Sequence, residues 1–207
     1  IDVSYIFGGS TSFHGIGGHY GKKDLPIILE VDEAFNTFKD IKIYDLLVTN
    51  IDEDHLDYFG TFENLIKAFE KVILNVKNNL VLNYDDQNIN DLKIGNKHTV
   101  YSSKDGAEYK INYPNKFIHN GKEYEIVSNL IGSHFVSNIT GAVAIAFLNG
   151  IEIKDSLEAI KSFPGVNRRT EYLGTVNGIK LYDDYGHHPT EIKATITALK
   201  QITKGKL

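Results

Sequence analysis

The sequence contains no cysteine, which excludes disulfides, cysteine-based zinc sites and thiol nucleophiles. It also contains no methionine and begins at Ile1, so we expect it to be part of a longer protein, and we expect no signal peptide. No apolar run reaches the roughly 18 residues that a membrane span needs. The 22 basic and 27 acidic residues leave a net charge of −5, which argues against nucleic-acid binding through a basic face.

Arginine is almost absent as well. The chain has only Arg168 and Arg169, which are adjacent, and every other basic residue is lysine. The planar fork of arginine matches phosphate and carboxylate groups in a way that lysine does not. The pair therefore indicates an anion site, although an ordinary surface pair in a lysine-rich protein is an equal alternative.

The first hundred residues alternate short apolar runs with helical patterns. Buried strands are predicted at 3–7, 27–31, 46–49 and 80–83, because these runs are brief, aliphatic and bounded by polar residues or glycine. Apolar residues at helical spacing over 62–73, with Thr61 placed to cap them, predict an amphipathic helix. This alternation is typical of an α/β domain with a mostly parallel sheet.

The remainder of the chain has a different pattern. Short strands over 98–129, with a two-residue turn at Asn120-Gly121, predict a small antiparallel sheet. Helices follow at 134–149 and 154–163, and Pro164-Gly165 is the predicted domain boundary. Beyond it, two strands joined by Asn177-Gly178 precede a helix that opens near Pro189.

Two acidic segments follow predicted buried strands. Glu30-Val31-Asp32-Glu33 stands at the C-terminal end of the second strand, and the third strand leads into 49–57, where four carboxylates surround His55. Because both follow buried strands, we expect them to lie on the same edge of the sheet, where ligands bind in open α/β sheets. Carboxylates there suit a hard cation such as Mg²⁺. The alternative is a pair of solvated acidic loops.

The densest polar segment is 181–191, with two aspartates, two histidines and a tyrosine inside the six residues 183–188. It runs from a predicted strand into a helix N-terminus, where free N–H groups favour anions. A glycine-rich segment with Gly21-Lys22 invites a different interpretation, the P-loop. The P-loop pattern needs a glycine five positions before Gly21 and a serine or threonine after Lys22. The chain has Ile16 and Lys23 at these positions, so the segment is not a P-loop.

Taken in chain order, six segments resemble the motifs of the Mur ligases, ATP-dependent enzymes that form amide bonds in bacterial cell-wall synthesis. The string Asp-Asp-Tyr-Gly-His-His-Pro-Thr-Glu is the most specific, and it is similar to the branch that adds L-alanine. The resemblance covers nearly the whole chain. The segments are 30–33, 49–57, 83–86, 132–138, 165–169 and 183–192.

The resemblance implies an architecture of three domains: a UDP-binding domain, a central ATPase domain and a Rossmann-like C-terminal domain. Residues 1–166 would be the central ATP-binding domain without its P-loop segment, a mostly parallel sheet with helices and a small antiparallel sheet. Residues 167–207 would begin the third domain.

The implied activity is ligation of L-alanine to UDP-N-acetylmuramate through an acyl phosphate, in peptidoglycan precursor synthesis in the cytoplasm. ATP and Mg²⁺ would be the cofactors. Because the chain has no P-loop pattern of its own, the resemblance implies that these 207 residues are inactive alone.

The resemblance also implies residue roles for the metal and the nucleotide. Glu30 and His55 match Mg²⁺ ligands. Asn138, Arg169 and Asp184 match ATP-binding positions, with Arg169 at the γ-phosphate and Asp184 near the ribose.

Substrate and catalytic roles are implied for the remaining motif residues. Arg168, Tyr185 and His187 match positions that bind the substrate. Arg169, His187 and His188 match catalytic positions that face the developing charge and the incoming amino acid.

Three alternatives remain open at this point. One is a murein-tripeptide recycling ligase of the same family. Another is a non-catalytic binding fragment. The third is a metal-dependent hydrolase with a di-metal centre built from Asp54, His55, Asp183, His187 and His188.

Overall fold

A computed structural model describes residues 2–11, 15–95 and 97–207. The chain divides into two compact units. The first unit comprises the described residues within 1–31, 128–132 and 162–207, and the second comprises those within 32–127 and 133–161.

Eleven strands and six α-helices are assigned within the described residues. The strands are β1 (Ser4–Thr11), β2 (Gly15–His19), β3 (Ile27–Leu29), β4 (Leu46–Val48), β5 (Leu80–Asn83), β6 (Thr99–Ser102), β7 (Tyr109–Asn112), β8 (Lys116–His119), β9 (Lys122–Glu125), β10 (Glu171–Val176) and β11 (Ile179–Asp183). The helices are α1 (Leu56–Phe59), α2 (Phe62–Leu74), α3 (Gln87–Asn90), α4 (Ser133–Leu148), α5 (Ile153–Ser162) and α6 (Pro189–Ile202), and a 3₁₀ helix covers Ala34–Asp40.

The second unit is built on a six-stranded sheet in the order β4-β5-β6-β7-β8-β9. The pairs from β4 to β7 are parallel, and β7-β8 and β8-β9 are antiparallel. Every residue of β5 is buried, as expected for a parallel strand covered on both faces. The predicted α/β class is confirmed, and the antiparallel strands extend the same sheet rather than forming a separate one.

Helices α2 and α4 belong to this unit. A capping residue fixes the start of α2, and a glycine fixes the packing of α4. The Thr61 side chain accepts the N–H of Asn64 at 3.3 Å and caps α2, as predicted. Gly141 of α4 lies so close to the sheet that a Cβ there would stand 2.8 Å from the Tyr101 ring. The missing side chain therefore allows α4 to pack closely against the sheet.

The first unit contains a three-stranded sheet in the order β2-β1-β3 and the separate hairpin β10-β11. The expectation of buried strands at 3–7 and 27–31 is wrong here. Strand β1 alternates in burial, and Ile27, Ile28 and Leu29 of β3 are 61%, 59% and 41% exposed. Their aliphatic composition indicated a central strand, but β3 pairs only with β1 among the described strands.

Both predicted hairpin turns are confirmed. Asn120 and Gly121 have φ of 50° and 73°, and Asn177 and Gly178 have φ of 51° and 80°. These left-handed values are those of the type I′ turn, which asparagine and glycine favour. The boundary between 1–166 and 167–207 stays a prediction. None of the described helices is long and apolar enough to cross a membrane.

Candidate functional site

The two arginines lie in a strained turn of the first unit that leads into β10. Arg168 and Thr170 have φ of 59° and 50°, in the left-handed region that residues with side chains rarely adopt. The Arg168 N–H donates to Glu171 Oε2 at 2.7 Å, and its carbonyl accepts the N–H of Tyr185 at 2.8 Å. The turn is thereby joined to the segment that follows β11.

Asp184 makes the second connection between these segments. Its Oδ2 accepts the Thr170 N–H at 2.7 Å and the Thr170 hydroxyl at 3.2 Å, and its Oδ1 accepts the Gly186 N–H at 2.8 Å. Burial alone would raise the pKa of this carboxyl. The donors from Gly186, Thr170 and Thr195 outweigh it, so the pKa of Asp184 lies below its ordinary 3.8. The carboxylate is therefore held in its charged form.

The guanidinium of Arg168 faces the segment after β11. Its Nε lies 3.4 Å from Asp183 Oδ2, and its Cζ lies 4.8 Å from the centroid of the Tyr185 ring. The Tyr185 ring also meets His187 edge-on, at 5.4 Å between centroids. Charge and stacking thus hold Arg168 beside Tyr185, which in turn contacts His187.

Arg169 faces the N-terminus of α6. Its Nη1 lies 3.5 Å from Glu191 Oε1. The other oxygen of Glu191 accepts the N–H groups of His187 at 3.2 Å and His188 at 3.4 Å, and it lies 3.9 Å from His187 Nδ1. The structure thus brings together the predicted site residues of the arginine turn and of the segment after β11. They are Arg168, Arg169, Asp184, Tyr185, His187 and His188.

A cavity of about 290 Å³ opens beside this cluster, within the first unit. Its wall includes Arg169, Thr170 and Glu171 from the arginine turn. The remaining lining residues come from 129–131 and 164–167, with Tyr172. Arg169, the predicted γ-phosphate contact, therefore faces this cavity.

Glu30 lies elsewhere in the first unit, directly after β3. Its Oε2 accepts the Gly8 N–H at 2.6 Å, and its own N–H donates to the carbonyl of Ile6. Since β3 and β4 belong to different sheets, the expectation that Glu30 and the His55 segment share one sheet edge is wrong. The reason is the pairing of β3 with β1, which the composition of β3 does not encode.

His55 lies in the second unit, at the start of α1, with φ of 53°. Its Nε2 is 3.9 Å from Glu33 Oε1 and 4.0 Å from Asp54 Oδ2, and its N–H donates to Asp54 Oδ1 at 2.7 Å. Asn83 of β5 holds the same loop by donating to the Thr49 carbonyl at 2.8 Å. Of the four carboxylates predicted around His55, Asp54 lies at the ring, and Glu33 from the preceding acidic segment joins it.

The donor chemistry here fits a partial magnesium site. Magnesium usually keeps several waters and takes only one or two carboxylates together with substrate phosphates. Among the described residues, no group of three or more His, Asp or Glu side chains is placed to hold a metal by itself. Of the five side chains of the di-metal alternative, Asp54 and His55 lie in the second unit, and Asp183, His187 and His188 lie in the first.

Asn138, the remaining predicted nucleotide ligand, lies exposed on α4 in the second unit. Its neighbour in sequence, Ser137, is buried and lies 3.5 Å from the Asn83 amide. The helix therefore presents the Asn138 position at its surface while Ser137 anchors it to β5.

Sequence reasoning missed Thr170, and it named Glu33 and Glu191 only as members of their motifs, without a role of their own. Glu191 stands three positions after the N-cap residue His188, the spacing of a capping box, so its contact with the helix start could have been predicted. Thr170 carried no such signal, because its role depends on a turn that brings it to Asp184.

Comparison with known proteins agrees with the motif resemblance. Residues 28–146 match the family described as the Mur ligase middle domain, and residues 168–207 match the Mur ligase glutamate ligase domain. The UDP-N-acetylmuramate–L-alanine ligase of Caldicellulosiruptor bescii is 34% identical over 209 residues, covering 93% of this chain and 46% of that protein. The ligase of the same name from Brucella anthropi is 33% identical, covering 100% of this chain and 48% of that protein.

Solved structures give the same result. UDP-N-acetylmuramate-alanine ligase MurC from Thermotoga maritima has a TM-score of 0.83 and 25% identity, over 99% of this chain and 49% of that one. A murein peptide ligase from Psychrobacter arcticus, at 21% identity and a TM-score of 0.71, shares the fold over 99% of this chain and 50% of that one. The chain spans about half the length of the relatives it matches. On the match of its sheet, helices and motifs, this chain belongs to the Mur ligase family.

Proposed function

We propose that this chain is the nucleotide- and substrate-binding part of an ATP-dependent ligase that joins L-alanine to UDP-N-acetylmuramate. The observation that carries the proposal is the arginine turn joined to the 183–188 segment at the start of α6. That arrangement places two guanidinium groups and two imidazoles around a helix N-terminus, which suits anionic substrates. The names of the relatives, all at about one third identity, point to the same reaction.

The first chemical step would be attack of the muramoyl carboxylate on the γ-phosphate of ATP. The O–P bond to the γ-phosphate forms as the bond to ADP breaks, which leaves an acyl phosphate and ADP. Charge on the transferring group is stabilised by fixed cations. Arg169 would supply that cation, and Arg168 would hold the sugar nucleotide.

The second step would be attack of the amine of L-alanine on the acyl phosphate. A tetrahedral intermediate forms, loses inorganic phosphate and gives the amide. His187, His188 and Tyr185 lie at the start of α6, where they would orient the incoming amino acid and the carbonyl. Holding both substrates in one place supplies much of the rate by positioning.

Nucleotide and metal would be held by the other predicted residues. Asn138 and Asp184 would contact the adenosine, and Asp184 would do so while its oxygens also hold Thr170 and Gly186. Glu30 and His55 would bind Mg²⁺, which neutralises phosphate charge when bound. We place this activity in peptidoglycan precursor synthesis in the cytoplasm.

The test uses the intact gene product, because this chain covers about half the length of its relatives. Phosphate release is measured with ATP, UDP-N-acetylmuramate and L-alanine, and with each of them omitted in turn. Release that needs all three supports the proposal.

Two other outcomes would contradict it. Turnover with a murein tripeptide but not with L-alanine would assign the protein to the recycling ligases. Amide or phosphodiester cleavage without ATP would assign it to the hydrolases.

A further inference from the structure

Glu191 joins Arg169 to the beginning of α6 through its two carboxylate oxygens. Oε1 lies 3.5 Å from Arg169 Nη1. Oε2 accepts the N–H groups of His187 and His188, at 3.2 and 3.4 Å. One side chain thus contacts the arginine, and it also contacts the backbone of both predicted catalytic histidines.

The two oxygens of Glu191 contact different groups, and these contacts fix the orientation of the carboxylate. A carboxylate that accepts two backbone N–H groups through one oxygen cannot rotate freely, so the direction of its other oxygen is set. That oxygen meets an arginine whose side chain is exposed and long, and which would otherwise sample many rotamers. Holding Nη1 leaves the other N–H donors of the guanidinium able to bind an anion.

We propose that Glu191 is a positioning residue, which orients Arg169 toward the transferring phosphoryl group and ties that arginine to the His187-His188 segment. This inference rests on the proposed ligase function. The role predicts that loss of the Glu191 charge lowers turnover through Arg169 and leaves the fold intact.

A purely structural role is the competing explanation, because glutamate three residues after an N-cap stabilises a helix by itself. Glutamine preserves that capping contact but loses the charge that meets Arg169. Glu191→Gln therefore separates the two roles. Glu158→Gln is the matched control, since Glu158 also pairs with a cation on an exposed helix, Lys161 at 3.7 Å on α5.

The experiment measures kcat and KM for ATP in the intact gene product, for wild type, Glu191→Gln, Arg169→Lys, their double variant and Glu158→Gln. We expect Glu191→Gln to lower kcat about tenfold, with a KM for ATP within about twofold of wild type. The double variant should be no slower than Arg169→Lys alone, because Glu191 acts through Arg169. Glu158→Gln should match wild type. Helical circular dichroism and the midpoint of thermal unfolding are recorded for each variant.

Each result decides between the explanations. An unchanged kcat for Glu191→Gln, or losses that multiply in the double variant, would overturn the positioning role. If Glu191→Gln fails to fold, Glu191→Asp takes its place, because it keeps the charge but draws the carboxylate away from Arg169. We then expect kcat to fall about tenfold through lost orientation of Arg169, and a wild-type kcat would overturn the positioning role. A wild type without three-substrate turnover would reject the ligase proposal itself, whereas normal wild-type turnover with an insensitive Glu191 rejects only this inference.

Discussion

The two arginines have different surroundings although they are adjacent in sequence. Arg168 is held by Asp183 and the Tyr185 ring, within the predicted substrate segment, and Arg169 is held by Glu191 at the start of α6. A guanidinium that stabilises charge in the transition state affects kcat, whereas one that holds the ground-state substrate affects KM. The different neighbours of the two side chains are consistent with these separate roles.

We predict that Arg169→Lys lowers kcat by about two to three decades, or roughly 2–4 kcal/mol, because lysine keeps the charge but loses the fork. Arg168→Ala should mainly raise KM for UDP-N-acetylmuramate. Steady-state kinetics of the intact protein is the measurement. A near-normal kcat for Arg169→Lys, or a defect of Arg168→Ala confined to ATP, would show that the roles are assigned wrongly.

Asp184 makes stability depend on pH. Its folded-state pKa lies below the ordinary 3.8, so the ionised group contributes stability above that value and loses it as pH falls through the folded pKa. We predict that Asp184→Asn destabilises the protein by about 1 kcal/mol near pH 6, and that this gap narrows below pH 3.8. Urea unfolding across that range measures it. A stability difference between wild type and Asp184→Asn that grows as the pH falls would contradict the prediction.

The predicted metal ligands lie in separate units, so each needs its own test. We expect Glu30→Gln and His55→Ala each to raise the magnesium concentration needed for half-maximal turnover and to lower turnover itself. Glu33→Gln should behave like a weaker His55→Ala, because Glu33 lies 3.9 Å from the His55 ring. Magnesium titrations identical to wild type for both Glu30→Gln and His55→Ala would remove these residues from the metal site.

At the scale of elements, the link from β11 to α6 depends on a glycine. A Cβ at Gly186 would stand 2.7 Å from Asp184 Oδ1 and 3.2 Å from Glu191 Cβ, so a side chain there displaces the Asp184 carboxylate and crowds Glu191. We predict that Gly186→Ala destabilises the unit by about 1–3 kcal/mol and lowers turnover about tenfold or more. Thermal unfolding and steady-state kinetics measure the two effects.

Gly205→Ala is the control for that variant, because nothing lies within 4 Å of the Cβ position at Gly205. It should leave unfolding and turnover within the scatter of ordinary surface substitutions, about 0.5 kcal/mol. Equal behaviour of the two alanine variants would mean that the close approach at Gly186 is not required.

Several elements could be predicted because their signals are local. The Thr61 cap, the helical spacing that follows it and the two Asn-Gly turns each depend on a few neighbouring residues. Strand β3 could not be placed, because an aliphatic run of three residues has no signal that selects its partner. Its side chains look like a sheet centre, yet it pairs with β1 and is exposed.

At the scale of the molecule, the chain spans about half the length of its relatives and has no P-loop motif of its own. The P-loop supplies backbone amides and a lysine for the nucleotide phosphates. We therefore predict that this 207-residue chain alone binds ATP no tighter than about 0.1 mM and has no ligase turnover. Calorimetric titration with ATP is the measurement, and micromolar affinity would contradict the prediction.

The sequence by itself determined the fold class, the family and the segments that carry the polar side chains. Those properties follow from periodicity, turn chemistry and motif strings, which are local. Only the tertiary structure decided which of these side chains meet. Asp184 reaches Thr170 across 14 positions and Arg169 reaches Glu191 across 22, because the β10-β11 hairpin folds back between them. Such contacts depend on the path of the chain between two segments, and no pattern within either segment encodes it.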